Sequence, residues 1–102
     1  MSSFAEEQIK SHKVVVFSKT YCPYCVKAKN VLKKYDIKDI VIIELDNRDD
    51  ADQMQDYFAR VTGARTVPRV FINGKCIGGG DDTARLDSNG QLKELLQACD
   101  AI

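Results

Sequence analysis

Apolar residues along this chain alternate between two periods. Val14-Val15-Val16-Phe17 is a consecutive β-favouring run and predicts a buried strand over Lys13–Ser18. Ahead of it, Phe4, Ala5, Gln8 and Ile9 fall on one side of a short helix reaching about Ser11, opened by a Ser3/Glu6 capping box. Behind it, Ala28, Val31, Leu32 and Tyr35 follow the i, i+3, i+4, i+7 spacing of an amphipathic helix, with Pro23 suited to its first position. Asp39–Leu45 reads as a second strand. Asp50 with Gln53 predicts the next helix start, Ala51, Met54, Tyr57, Phe58 and Val61 its inward face, and Gly63 its stop. Arg69–Ile72 and Lys75–Ile77 are short strands joined by Asn73-Gly74, a strong hairpin signal. Asp81-Asp82 then caps a short helix to about Asp87. Ser88 with Gln91 opens the last one, whose apolar face is Leu92, Leu95, Leu96 and Cys99.

A helix between the first two strands makes them parallel, and the hairpin makes the last two antiparallel. The expected fold is α/β: a four-stranded mixed sheet flanked by helices on both faces. The chain has 102 residues, which fits one domain over residues 1–102 with a radius of gyration near ~13 Å. No repeat, linker or low-complexity segment interrupts it.

Fifteen Lys and Arg balance fifteen Asp and Glu. Nucleic-acid binders carry a basic excess, so that class is disfavoured. No apolar run approaches the roughly 18 residues of a membrane span, and no membrane role is expected. The first seven residues carry acids and lack the basic and apolar regions of a leader. The expectation is a cytoplasmic monomer.

The chemistry concentrates in Cys22-Pro23-Tyr24-Cys25, which opens a helix directly after a buried strand. A thiolate is the reactive form of cysteine, and at an ordinary pKa near ~8.5 only a few per cent is ionised at pH 7. Three features favour ionisation of Cys22: a helix N-terminus, Lys19 three residues earlier, and a second thiol one turn on. Between residues 13 and 38, seven lysines face one acid, Asp36. That local basic cluster is hidden in the net charge, and Lys27, Lys29, Lys33 and Lys34 are also readable as a solvated face. Cys25, on the same side as Cys22, can attack a mixed disulfide formed there, making Cys22 the nucleophile and Cys25 the resolving thiol. Two other readings exist: half of a zinc site, or a bystander pair. Zinc normally takes a second ligand pair; Cys76 and Cys99 do not repeat the spacing, and His12 is the sole histidine. Cys99 is expected buried and inert, and Cys76 is expected in a short edge strand.

Val16 to Cys25 resembles the active-site segment of a dithiol glutaredoxin of the CPYC type, in the thioredoxin-like superfamily. Thr62-Gly63 with Arg65-Thr66-Val67-Pro68, then Val70-Phe71-Ile72, then Ile77 to Asp82 match that family in order and spacing. The resemblance covers nearly the whole chain. It differs from the thioredoxin pattern in lacking Trp before Cys22 and in its inner Pro-Tyr.

The resemblance implies a thioredoxin-like fold and glutathione as co-substrate, with no metal. It implies that Cys22 and Cys25 are catalytic. Glutathione contacts are then expected from Lys19, Tyr24, Gln55, Arg65, Thr66, Val67, Pro68, Gly79, Gly80, Asp81 and Asp82. Lys19 suits the glycyl carboxylate, with Gln55 and Arg65 assisting. Pro68 resembles a cis-proline that aims the Val67 backbone at the ligand. The backbone amides where Asp81-Asp82 begin a helix suit the γ-glutamyl carboxylate, and the Asp side chains its ammonium. Read without the family, the glycines are a turn and the aspartates a cap. Many relatives carry Cys in place of Gly80; losing that thiol is expected to leave backbone contacts intact. The implied activity is reduction of glutathione mixed disulfides and of small or protein disulfides. Its partners are such proteins and, indirectly through glutathione, glutathione reductase. The alternative is a glutathione-ligated [2Fe–2S] carrier, which Pro23 should disfavour by stiffening the helix start.

Overall fold

The computed structural model describes residues 3–102. The elements run α1 (Ser3–Ser11), β1 (Val14–Ser18), α2 (Pro23–Lys33), β2 (Ile40–Glu44), a 3₁₀ turn (Leu45–Asn47), α3 (Ala51–Thr62), β3 (Arg69–Ile72), β4 (Lys75–Gly78), α4 (Gly80–Ser88) and α5 (Gln91–Ala98). The sheet order is β2-β1-β3-β4, with β1 parallel to β2 and antiparallel to β3, and β3 antiparallel to β4. This is the mixed sheet the pattern predicts, in a thioredoxin-like fold. Its radius of gyration is 12.5 Å.

β1 is buried along its whole length because both of its faces are covered. Val15 and Phe17 join Leu45, Met54, Phe58 and Phe71 under α1 and α3, where the Phe17 and Phe58 rings lie 4.8 Å apart. Val14 and Val16 join Ala28, Leu32, Val70, Leu92 and Leu96 under α2 and α5. Each Val, Leu, Met or Phe side chain so buried contributes roughly 1.5–3 kcal/mol. Asn73 and Gly74 both take positive φ, 53° and 80°, as a tight hairpin turn requires.

Several local expectations fail, each for a visible reason. Ser3 is already helical, so its cap position lies outside the described residues. Tyr35 lies beyond α2: the amides of Lys34 and Tyr35 bond back to Val31 and Leu32 in a tightened last turn. Tyr35 still packs against the core, and its hydroxyl donates to Asp87 of α4 at 2.5 Å. Asp50 precedes α3 but makes no side-chain cap, because Arg48 takes its carboxylate at 2.8 and 3.0 Å. Val61 is exposed where the end of α3 borders a groove along β4. α4 starts at Gly80, not after Asp82, and its N-cap is Gly79. Ser88 belongs to α4 and bonds the Ala84 carbonyl. Gly90 is the N-cap of α5, and the Asn89 side chain accepts the Gln91 amide instead. Leu95 is exposed, leaving Leu92 and Leu96 as the buried pair of α5. Cys99 is half-buried, its thiol 3.6 Å from the Leu96 carbonyl.

Candidate active site

The register fixes where the chemistry collects. Phe17 near the end of β1 pairs with Arg69 at the start of β3, and Val70 pairs with Gly78 at the end of β4. The segments leaving β1, entering β3 and leaving β4 therefore share one end of the sheet. They carry Lys19 to Cys25, Arg65 to Pro68, and Gly79 to Asp82.

Cys22 is the N-cap residue of α2, with extended backbone and no side-chain cap bond, and Pro23 follows in the first turn. A thiol there faces amides that have no intrahelical acceptor. Partial burial pushes its pKa up. The Cys25 amide and thiol, the Tyr24 amide and the Lys19 ammonium outweigh that and hold the Cys22 thiol below its ordinary value. Cys25 lies one turn on and is fully buried. Burial pushes its thiol up, although the Lys19 amide donates to its sulfur at 3.3 Å. The two cysteines, both free thiols, thus differ in access and ionisation. Tyr21 and Tyr24, 70% and 57% exposed, flank Cys22. Tyr21 is an exposed aromatic that sequence reasoning passed over.

The other expected site residues reach this end in different states. Val67-Pro68 is a cis peptide bond, with Pro68 buried, Val67 half-buried and Thr66 exposed. Gln55 Nε2 donates to the Arg65 carbonyl at 3.1 Å, tying α3 to that segment. The Arg65 guanidinium is held by Asp56 at 3.0 Å and Asp52 at 3.5 Å. Gly79 follows β4 and packs near the Pro68 carbonyl. Asp82 accepts the Gly79 amide at 2.9 Å and pairs with Arg85 at 3.0 Å. Those partners hold its carboxyl below the usual range. Asp81 is exposed and pairs with Lys27 of α2 at 2.6 Å. Both aspartates therefore already have partners within the chain.

Gly80 sits at a close backbone approach. A Cβ there would lie 2.6 Å from the Tyr24 carbonyl oxygen, nearer than real Cβ atoms approach. Glycine is what lets α4 seat its first turn against the active-site turn of α2.

The lysine cluster also looks different in space. Lys27, Lys29 and Lys34 pair with Asp81, Glu44 and Asp87, which come from other elements. Lys29 is not solvated: its side chain is 16% exposed. Cys76 is half-buried and lines the groove of about 570 Å³ along β4, at the other edge from β2. Among the described residues, no three His, Cys, Asp or Glu side chains gather as a metal site, and no helix is long and apolar enough to cross a membrane.

The glutaredoxin family model matches residues 14–77, more than half of the chain. Glutaredoxin-C8 of Oryza sativa subsp. japonica is 47% identical over 96 residues, covering 93% of this chain and 71% of its own. A monothiol glutaredoxin-S6 from the same plant is nearly as similar, 46% over 96 residues with 93% and 72% covered. Overall identity therefore does not set a relative named as monothiol apart from one that is not. Oxidised glutaredoxin 2 of Chlamydomonas reinhardtii superposes with a TM-score of 0.90 at 56% identity, over 96% of this chain and 92% of that one. A buckwheat glutaredoxin–glutathione complex superposes with a TM-score of 0.90 at 42% identity, over 96% and 88%.

Proposed function

Since the chain belongs to the glutaredoxin family of thiol–disulfide oxidoreductases, we propose that it is a dithiol enzyme that uses glutathione to reduce glutathione mixed disulfides and small or protein disulfides. The observation that carries this reading is the contrast at α2: Cys22 at the N-cap with a lowered thiol, Cys25 buried one turn behind it.

With a glutathionylated substrate, the Cys22 thiolate attacks the glutathione sulfur. A new S–S bond forms, and the substrate sulfur leaves with the electron pair of the old one. A second glutathione thiolate then attacks the glutathione sulfur held on Cys22, releasing oxidised glutathione and the Cys22 thiolate. With a protein disulfide, Cys22 holds the substrate sulfur and Cys25 displaces it, closing the Cys22–Cys25 disulfide. Two glutathiones reopen it.

The bound tripeptide would run across the open end of the sheet. Its glycyl carboxylate would meet the Lys19 ammonium, and its cysteine backbone would meet Val67. Its γ-glutamyl carboxylate would meet the first amides of α4, where a helix N-terminus favours an anion. Asp81 would reach the γ-glutamyl ammonium only by exchanging Lys27 for it. The glutathione held by the superposable buckwheat protein supports this ligand.

The test is turnover of a small glutathione mixed disulfide, coupled through glutathione reductase to NADPH. Wild type should turn over and Cys22→Ser should not. Cys25→Ser should retain this reaction while losing most reduction of protein disulfides. Equal loss of both reactions in Cys25→Ser would contradict the division of roles.

A further inference from the structure

Glu44 ends β2 beside Ser18, its register partner in the parallel pair. Their side chains leave the sheet on one face, the face that α2 covers. On α2, Cys25 and Lys29 are spaced i, i+4 and lie along one side. These four residues form a polar file inside the α2–sheet layer. Lys29 Nζ bonds Glu44 Oε2 at 2.8 Å, in a pair whose side chains are 16% and 21% exposed. Ser18 is fully buried, and the amide of the next residue, Lys19, bonds the Cys25 sulfur at 3.3 Å, which sets Ser18 beside that thiol.

Half of this carboxylate is idle. Among the described residues, Glu44 Oε1 is buried and has no hydrogen-bond partner. Ser18 Oγ donates a long bond, 3.4 Å, to the Lys19 carbonyl, and a hydroxyl so weakly held can turn.

The resolving step needs something here. Cys25 must lose a proton before it attacks, and it is sealed from water. The Lys19 amide that bonds its sulfur stabilises a thiolate but takes no proton. We propose that Glu44, anchored by Lys29, is the proton acceptor for Cys25 and is reached through the Ser18 hydroxyl. This rests on the reading of Cys25 as the resolving thiol.

The step balances as follows. The Cys25 S–H bond breaks, its proton passes to Ser18 Oγ, and the Ser18 proton passes to Glu44 Oε1. The Cys25 electron pair forms the Cys22–Cys25 bond. The bond between Cys22 and the substrate sulfur breaks, and that sulfur leaves as a thiolate carrying the pair. Cys25 is oxidised and the substrate sulfur is reduced. When glutathione reopens the disulfide, the proton returns from Glu44 to Cys25.

Glu44→Gln keeps the shape and removes the acceptor. Reduced protein is mixed rapidly with a disulfide-linked peptide, quenched with acid, and its Cys22 mixed disulfide and Cys22–Cys25 disulfide are measured by mass. Formation of the mixed disulfide should be unchanged. Closure should slow at least ~10-fold, as loss of general base catalysis does, and should regain a rise with pH that wild type lacks near neutrality. Closure as fast as wild type with the same pH profile would overturn the proposal, as would equal slowing of both phases. Should Glu44→Gln fail to fold, Ser18→Ala leaves the ion pair intact and decides by the same criteria. A wild-type Cys22 mixed disulfide that never closes to the Cys22–Cys25 disulfide would instead overturn the dithiol reading beneath it.

Discussion

Where β1 begins, polar groups close on one another. Asp39 takes His12 Nδ1 at 2.8 Å with one oxygen and the Lys13 amide at 3.0 Å with the other. The Lys13 carbonyl takes the Asn73 amide, the Ala101 carbonyl takes the Lys38 amide, and Lys13 Nζ reaches the Asp100 carbonyl. Where β1 ends, the fold leaves groups available. Cys22 caps α2 without a side-chain bond, two tyrosines stand exposed, and α4 presents its first turn beside them. Both ends are made by the same strands, β1 with its neighbours β2 and β3, so the difference lies in which donors the chain satisfies itself. Donors that a fold leaves unpaired at helix starts favour an anion, here first the thiolate.

The largest break in this comparison is expected from Cys22→Ser, which should take coupled turnover to background while leaving the Tm near wild type. Gly80→Ala comes next. Its methyl meets the Tyr24 carbonyl oxygen, so α4 must shift from α2. Urea denaturation should show a loss of about 1–3 kcal/mol, as overpacking costs, and the KM for glutathione should rise. Lys19→Ala should raise that KM about two- to fivefold with little change in kcat, the scale of an exposed ion pair. It should also raise the midpoint of Cys22 alkylation against pH, since the ammonium helps hold that thiol down.

The closed end should respond in stability alone. Its His12 and Lys13 partners hold the Asp39 carboxyl below the usual range. Its stabilisation is therefore complete above the unfolded carboxylate pKa near ~3.9 and is lost as pH falls through the lower native value. Asp39→Asn should lower the Tm at neutral pH, converge on wild type in acid below about pH 4, and leave turnover unchanged.

The order of elements was legible because each announces itself over a short window. β1 is a run of buried β-branched residues, and α2 and α3 keep a helical period. Positions set by competition or by tertiary register were not. Asp50 and Ser88 have capping chemistry, yet Arg48 and the Ala84 carbonyl claim their side chains first. Val61 keeps the period of α3, but a period says nothing of where the sheet stops. The Cys22/Cys25 pair stood out by its spacing after a predicted strand, while its redox reading drew on the helix start, Lys19 and the family resemblance. The meeting of Lys29 with Glu44 beside Ser18 depends on β1–β2 register and on the seating of α2, neither of which a local window contains.

The most direct test uses Cys25→Ser, which would hold glutathione on Cys22 as a stable mixed disulfide. Amide chemical shifts of the free and glutathionylated protein are compared by NMR. The account predicts large changes at Lys19, Val67, Gly80 and Asp81, and none at His12 or Asp39. Unchanged amides at Val67, Gly80 and Asp81, with shifts instead along the β4 groove, would contradict it.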